Sequence, residues 1–306
     1  MAKAYPTDHW RAGALVKIVH LTDIHIQKRP HVGQIWNKRL LGSINLYVLG
    51  RHSKFTPTVQ QAAVDATLAE APDAVIITGD LTAQALPSEF ETARALLDPS
   101  LTRFPTFMIP GNHDTYVREA QPGAMMREVF GEWMGPTTPH LQTIGEVGFL
   151  HVETCRTALL SSGHSPPAGL PAARALLEAA DPRLYIFLCL HYPLRGRDGA
   201  PYGPAVRALS NAAELEAELL MKTDRIDAVL HGHEHHGYRT EVPTAAGARP
   251  SINPGSSGYA HIPAQSRTAH LNVYTITDRS MTGLRRLRFD GETFTEEPGG
   301  AYATGR

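Results

Sequence analysis

The sequence predicts an α/β protein built from parallel βαβ units, on three observations. Apolar, strand-like runs alternate with segments of helical spacing along most of the chain. Two of the runs, 74–78 (AVIIT) and 184–190 (LYIFLCL), are almost continuously apolar, as in strands covered on both faces. Histidine, aspartate and asparagine residues directly follow the runs, where an α/β sheet presents its functional side chains.

The elements follow in order. Residues 15–21 (LVKIVHL) form the first predicted strand and lead into Asp23. Residues 58–71 have helical spacing and stop at a Pro-Asp break. Residues 74–78 are the second strand, with Asp80 at its C-terminal end. A helix is predicted over 87–97 (PSEFETARALL), with Pro87 in its first turn and Ser88 and Glu91 as a capping box. Residues 106–109 are the next strand, and Gly111-Asn112-His113-Asp114 follow at once. Strand, loop, helix, strand is the order of βαβ units, which collect their loops along one sheet edge.

The second half repeats this logic. Strands are predicted at 149–152 and 158–160, a helix at 172–180, and a strand at 184–190 ending in His191. A helix over 211–221 leads to a strand at 228–230, whose end carries His231-Gly232-His233. Residues 271–276 (LNVYTI) and 284–289 (LRRLRF) read as antiparallel strands, and Asn253-Pro254-Gly255-Ser256 as a turn. The first dozen residues and the Pro/Gly-rich stretch from about 296 are predicted to fray.

Composition limits the function classes. The 306 residues are 42% hydrophobic with a formal charge of -1, enough for a sizeable core and without the basic stripe a nucleic-acid polymer needs. Cys155 and Cys189 sit in apolar strand-like surroundings and form no C-x-x-C pair, so buried free thiols are expected. The N-terminus lacks a secretory signature and no run offers about 18 uncharged apolar residues, so cytoplasmic residence is expected.

Five segments carry the chemistry: Asp23-Ile24-His25, Gly79-Asp80, Gly111-Asn112-His113-Asp114, His191 and His231-Gly232-His233. Together they form a nearly complete ligand set for two metal ions, and the chain reads as a dinuclear metallohydrolase. On an extended backbone, Asp23 and His25 point to the same side while Ile24 packs inward. His231 and His233 share that spacing, with Gly232 removing a side chain that would crowd the cluster. Asp80 can bridge through its two oxygens. Imidazole and oxygen donors without sulfur suit Mn, Fe or Zn better than Ca or Mg. His235 and His236 read as a solvated turn, and His20, His52, His151, His164 and His270 as satisfied polar groups.

The order D-x-H, G-D, G-N-H-D, H, G-H-x-H resembles the calcineurin-like metallophosphoesterase superfamily, in particular its bacterial branch similar to class III cyclic-nucleotide phosphodiesterases. The resemblance spans roughly residues 16 to 276. It implies a four-layer α/β/β/α sandwich over 1–306 as one metallophosphoesterase domain, ordered from about 13 to 290, with the dimetal site at the strand C-termini. It also implies that Asp23, His25, Asp80 and His233 bind one divalent ion, and Asp80, Asn112, His191 and His231 the other. His113 matches the substrate-contacting histidine, and Asp114 the residue that orients it. Two ions about 3.5–4 Å apart would generate a bridging hydroxide for in-line attack on phosphorus. His113 would stabilise the transition-state charge or protonate the leaving alkoxide.

The expected substrate is a small phosphodiester, of cyclic-nucleotide or glycerophosphodiester type. The alternatives are a phosphomonoesterase or nucleotidase and a lipid-linked pyrophosphate hydrolase. A non-catalytic scaffold is disfavoured because no ligand is lost. The insertion 34–55 (QIWNKRLLGSINLYVLGRHSKF) carries Trp36, Leu40, Ile44 and Val48 at helical spacing, beside Lys38, Arg39, Arg51 and Lys54. It is expected to overhang the site as a lid, as a contact in a homo-oligomer such as a dimer, or as a peripheral lipid-facing element.

Overall fold

The apolar runs become the inner strands of two six-stranded sheets. The structure is a computed structural model that describes residues 15–34, 51–117, 124–136, 138–157 and 161–303. In the first sheet, β1 (Val16–Leu21), β2 (Ala74–Ile77) and β3 (Thr106–Met108) run parallel, with Leu21 opposite Ile77 and Ile77 opposite Met108. Helices α1 (Pro57–Glu70) and α2 (Pro87–Arg103) make the crossovers, and α3 (Ala124–Phe130) follows. The second sheet contains β4 (His140–Ile144), β5 (Val147–His151), β6 (Tyr185–Cys189), β7 (Ala228–Leu230), β8 (His236–Thr244) and β9 (Gly247–Gly255). Its helices are α4 (Gly169–Ala179) and α5 (Ala212–Leu215), the latter continued by a π-helical turn over Glu216–Leu220. The chain then returns to the first sheet as β10 (His270–Thr277), β11 (Ser280–Phe289) and β12 (Phe294–Glu296). The strand orders are β12-β11-β10-β1-β2-β3 and β4-β5-β6-β7-β9-β8.

The layers follow from which faces are apolar. Ile18, Ile76 and Phe107 of one sheet meet Phe149, Phe187 and Leu230 of the other. On the outer face of the first sheet, Val19, Val75 and Leu271 pack against Val64 of α1, Phe90 and Leu97 of α2 and Phe130 of α3. On the outer face of the second, Ile186, Leu188 and Val229 pack against Ala173 and Leu177 of α4 and Leu215 of α5. Each central strand is thus buried on both sides, which explains its unbroken apolar run. The result is the expected α/β/β/α sandwich. Cys155 and Cys189 are buried free thiols. No helix among the described residues is long and apolar enough to cross a membrane.

Several expectations need correction. Helix α2 is capped by Glu89 rather than by Ser88 and Glu91: the helix begins at Pro87, and Glu89 accepts the amides of Leu86 at 3.1 Å, Gln84 at 2.9 Å and Lys28 at 3.1 Å. Asn253, Pro254 and Gly255 end strand β9 instead of forming a free turn. The β8–β9 hairpin escaped prediction because Pro250 and Pro254 argue against a strand. The tail expected to fray from 296 is docked as far as residue 303. The Glu297 carboxylate accepts a hydrogen bond from fully buried Arg286 at 3.1 Å, and the Tyr302 hydroxyl donates to the Asn253 carbonyl at 2.9 Å. Most of the 34–55 insertion and the strand expected at 158–160 lie outside the described residues.

Candidate metal centre

The C-terminal ends of β1, β2, β6 and β7 and the loop after β3 meet at one point. Asp23 and His25 leave β1 with φ of 52° and 54°, and Asp80 leaves β2 with φ of 55°, so the backbone turns left-handed at each ligand instead of staying extended. Ile24 between them is buried as expected. The loops are tied together by backbone hydrogen bonds from Asp23 to Gly79 and from His25 to Asp80, each 3.0 Å. Close approach requires glycine at Gly79 and Gly111: a Cβ on Gly79 would lie 2.4 Å from the Gly111 nitrogen, and one on Gly111 only 2.1 Å from Asp80 Oδ1.

Two groups of donor atoms face one another across Asp80. In the first, His25 Nε2 lies 3.7 Å from Asp23 Oδ1 and 3.7 Å from Asp80 Oδ2. His235 Nε2 completes it, 3.0 Å from His25 Nε2 and 3.6 Å from Asp23 Oδ1. In the second, Asn112 Oδ1 lies 3.0 Å from His191 Nε2 and 2.8 Å from His233 Nδ1, and His191 Nε2 is 3.4 Å from Asp80 Oδ2. The outer atoms are fixed by the backbone. His191 Nδ1 faces the Thr78 carbonyl at 2.8 Å and His25 Nδ1 the Thr82 carbonyl at 3.2 Å. A carbonyl only accepts, so both Nδ1 atoms carry a proton and both Nε2 atoms point inward, where a metal would take their lone pairs.

The donor set fits divalent metal. Asp23 Oδ2 is engaged by the Thr22 hydroxyl and the His233 amide, whereas its Oδ1 is fully buried without a hydrogen-bond donor. Such an oxygen is costly unless a cation faces it. Burial opposes the charge on Asp80, yet the imidazoles of His191, His113 and His25 hold its carboxyl well below the usual carboxylate range. Burial likewise opposes a proton on His191, but Asp80 and then Asp23 lift that imidazole to about 9. The carboxylates thus draw positive charge to this point.

Six of the seven sequence-predicted ligands, Asp23, His25, Asp80, Asn112, His191 and His233, converge here; His231 does not. Its amide is still bonded into the sheet at Ile252 and its ring lies against Tyr238, with centroids 5.4 Å apart. His235, assigned from sequence to a solvated turn, takes the expected place of a ligand, and His233 falls in the other group. The motif G-H-x-H fits Gly232-His233-Glu234-His235, and that reading would have found His235. Gly232 permits the turn: a Cβ there would meet Thr22 Oγ1 at 2.1 Å and Asp23 Oδ2 at 2.7 Å.

His113 lines the cleft above the donors, its ring edge-on to His25 at 4.9 Å. Its Nδ1 donates to the Ala83 carbonyl at 2.6 Å, which fixes the ring. Asp114 does not orient that ring. Its oxygens accept the amides of Gly111 at 2.9 Å, Thr82 at 3.0 Å and Leu81 at 3.2 Å, and the Thr82 hydroxyl at 3.0 Å. Asp114 therefore staples the Asp80 and Asn112 loops together. From the end of the insertion, Phe55 packs on His25 and His235 at 4.4 and 5.2 Å. Lys54, Arg207 and Arg267 stand on the walls of this cleft of about 550 Å³.

Two donor groups around one shared carboxylate, at the ends of parallel strands in a four-layer sandwich, define a candidate dinuclear metal site. A model of the calcineurin-like phosphoesterase family matches residues 16–237, and the chain belongs to that family. It is 28% identical over 124 residues to a glycerophosphodiester phosphodiesterase of Enterobacter lignolyticus, covering 40% of this chain and 34% of that protein. It is 27% identical over 172 residues to a probable cyclic nucleotide phosphodiesterase of a Pseudoalteromonas species, covering 56% of this chain and 59% of that one. The matches thus span less than two thirds of either relative's own length. The fold is similar to purple acid phosphatase from yellow lupin (TM-score 0.60, 15% identity, 95% of this chain and 54% of that one). It is also similar to a dimetal phosphatase from Danio rerio (TM-score 0.55, 11% identity, 92% and 98%).

Proposed function

We propose that the chain is a dimetal phosphodiesterase acting on a small diester of the cyclic-nucleotide or glycerophosphodiester type. The observation that carries this reading is the pair of donor groups sharing Asp80 Oδ2, with His113 standing beside His25 and Asp80. Asp23, His25, Asp80 and His235 would hold one divalent ion, and Asp80, Asn112, His191 and His233 the other; nitrogen and oxygen donors suit Mn, Fe or Zn. Bound there, two such ions supply Lewis-acid charge to the phosphoryl oxygens and acidify a water.

The chain's own residues supply position and one proton. Asp80 Oδ1 is fixed by the His113 amide at 2.7 Å, leaving Oδ2 to face both groups. His113, with Nδ1 tied to Ala83, can hand the proton of Nε2 to the departing oxygen. The diester preference is supported by the likeness to two proteins named as phosphodiesterases.

The test is turnover by the full chain reconstituted with Mn, Fe or Zn, using bis(4-nitrophenyl) phosphate beside 4-nitrophenyl phosphate. Diester turnover should exceed monoester turnover at least tenfold, and the reverse order would sink the reading. In the same assay His113→Ala should lower kcat by about 10²–10⁴-fold with metal content unchanged.

A further inference from the structure

The cleft continues away from the metal donors. Arg267 and His236 line both the metal cleft and an adjoining cavity of about 180 Å³, to which Arg197 and His270 also contribute. Arg267, Thr268 and His270 in turn line a further cavity of about 540 Å³ that reaches Arg288. The three cavities adjoin through shared wall residues and lie in series from Asp80 and Asn112 to β11, and together are called the trench.

Away from the metal donors the walls are basic, with Arg267 and Arg288 among their cations. Arg267 donates to the Tyr259 hydroxyl at 3.0 Å, a neutral partner, and neither Arg267 nor Arg288 has a carboxylate within ion-pair distance among the described residues. The one acid on the wall of the far cavity, Glu297, is committed to Arg286 at 3.1 Å. At the cleft end, Glu234 is committed to Arg207 at 3.0 Å and to the Tyr202 hydroxyl. The positive field is felt by His270: burial first, then Arg286 and Arg288, hold its imidazole well below the ordinary range. Unneutralised guanidinium groups lining a concave wall match a phosphate, whose oxygens accept two parallel N–H bonds from each fork.

We propose that this trench is a phosphate-binding subsite, in which Arg267 and Arg288 take a second phosphate of the substrate, remote from the phosphoryl group attacked at the metal centre. The scissile diester would lie over Asp80 and Asn112, with the rest of the substrate extending past His236. The favoured substrate class is then a diester bearing a further phosphate, such as a terminally phosphorylated nucleotide ester. This rests on the phosphodiesterase reading for the substrate, though not for the anion site itself.

The experiment uses the full-length, metal-loaded protein and two matched esters, thymidine 3′-(4-nitrophenyl phosphate) with and without a 5′-phosphate. The phosphorylated ester should show a KM at least tenfold lower, and Arg267→Ala or Arg288→Ala should remove that advantage. Equal KM values for the two esters, or variants that keep the advantage, would overturn the subsite. If neither ester is hydrolysed, the phosphodiesterase reading falls and calorimetric titration with inorganic phosphate decides. Weakening of binding at least tenfold in Arg288→Ala supports the trench, and binding equal in the two proteins overturns it.

Discussion

Asp23, His25, Asp80 and His233 hold φ of 52°, 54°, 55° and 69°, a region non-glycine residues avoid at a cost of roughly 1–2 kcal/mol each. Such strain persists where neighbours over-determine it, and here Gly79, Asp114 and Asn253 do so: Asn253 Nδ2 donates to the carbonyls of Gly232 and Glu234 at 3.0 and 2.8 Å. The left-handed residue at His233 turns the chain so that His235, two residues further on, faces His25. That geometry predicts that His235→Ala loses one of two metal equivalents, with affinity falling by more than the roughly 10–100-fold typical of an outer-shell loss. His231→Ala should keep both equivalents. Metal analysis after dialysis against a weak chelator distinguishes them, and the opposite pattern would restore His231 as the ligand. The ambiguity lay in the sequence: in His231-Gly232-His233-Glu234-His235 either overlapping pair has the i, i+2 spacing, and only the turn at Gly232 selects one. Asp114 departs from its expected role for a related reason. Adjacency to His113 says nothing about which way a buried carboxylate faces.

At the scale of elements, the strands that are apolar throughout were readable because burial on both faces leaves no alternation to confuse. The outer elements were harder. Strands β4 and β8 lie at sheet edges, where polar residues are tolerated, and β9, which carries Pro250 and Pro254, pairs with β7 only at Ser251 and Ile252, between the two prolines. The tail is hard to read from sequence because its anchors are specific pairings rather than apolar area. Arg286 on β11 has no exposed surface, and it joins Glu297 to the Pro254 carbonyl at 3.0 Å while its guanidinium lies over the Tyr302 ring at 4.7 Å. Since Tyr302 also bonds Asn253, the tail supports the strand end that steadies the ligand loop. Removing one partner of such a pair leaves a buried charge uncompensated, at a cost of about 3 kcal/mol or more. Glu297→Gln, which keeps the shape, should lower the urea midpoint accordingly with an unchanged m-value. A change below about 0.5 kcal/mol would show that the tail is not anchored there.

At the scale of the whole molecule, the two-sheet architecture buries histidines as well as apolar side chains, and this sets how stability responds to acid. His151 at the end of β5 and His20 in β1 are both held down to about 3, each by burial first, with His231 adding to the effect at His20 and Arg127 and His140 at His151. His20 sits between the Tyr274 hydroxyl at 3.0 Å and the Thr78 hydroxyl at 2.8 Å, partners a neutral ring satisfies. In the unfolded chain both rings titrate near 6.5. A depressed folded pKa means that the unfolded state binds protons first as pH falls. The stability these neutral rings contribute is therefore fully present above about 6.5 and is lost as pH drops from there toward about 3. Each ring adds a slope of about 1 kcal/mol per pH unit within that window. Glu89, which burial lifts to about 7, acts in the opposite sense, because its protonated form is favoured in the fold and stability falls as pH rises toward that value. A single-site comparison separates the two. His151→Gln should flatten the dependence of unfolding free energy between pH 6.5 and 4.5 by about 1 kcal/mol per unit. Urea unfolding at a series of pH values measures this slope, and parallel curves for the variant and the parent chain would show that His151 is not the group that titrates.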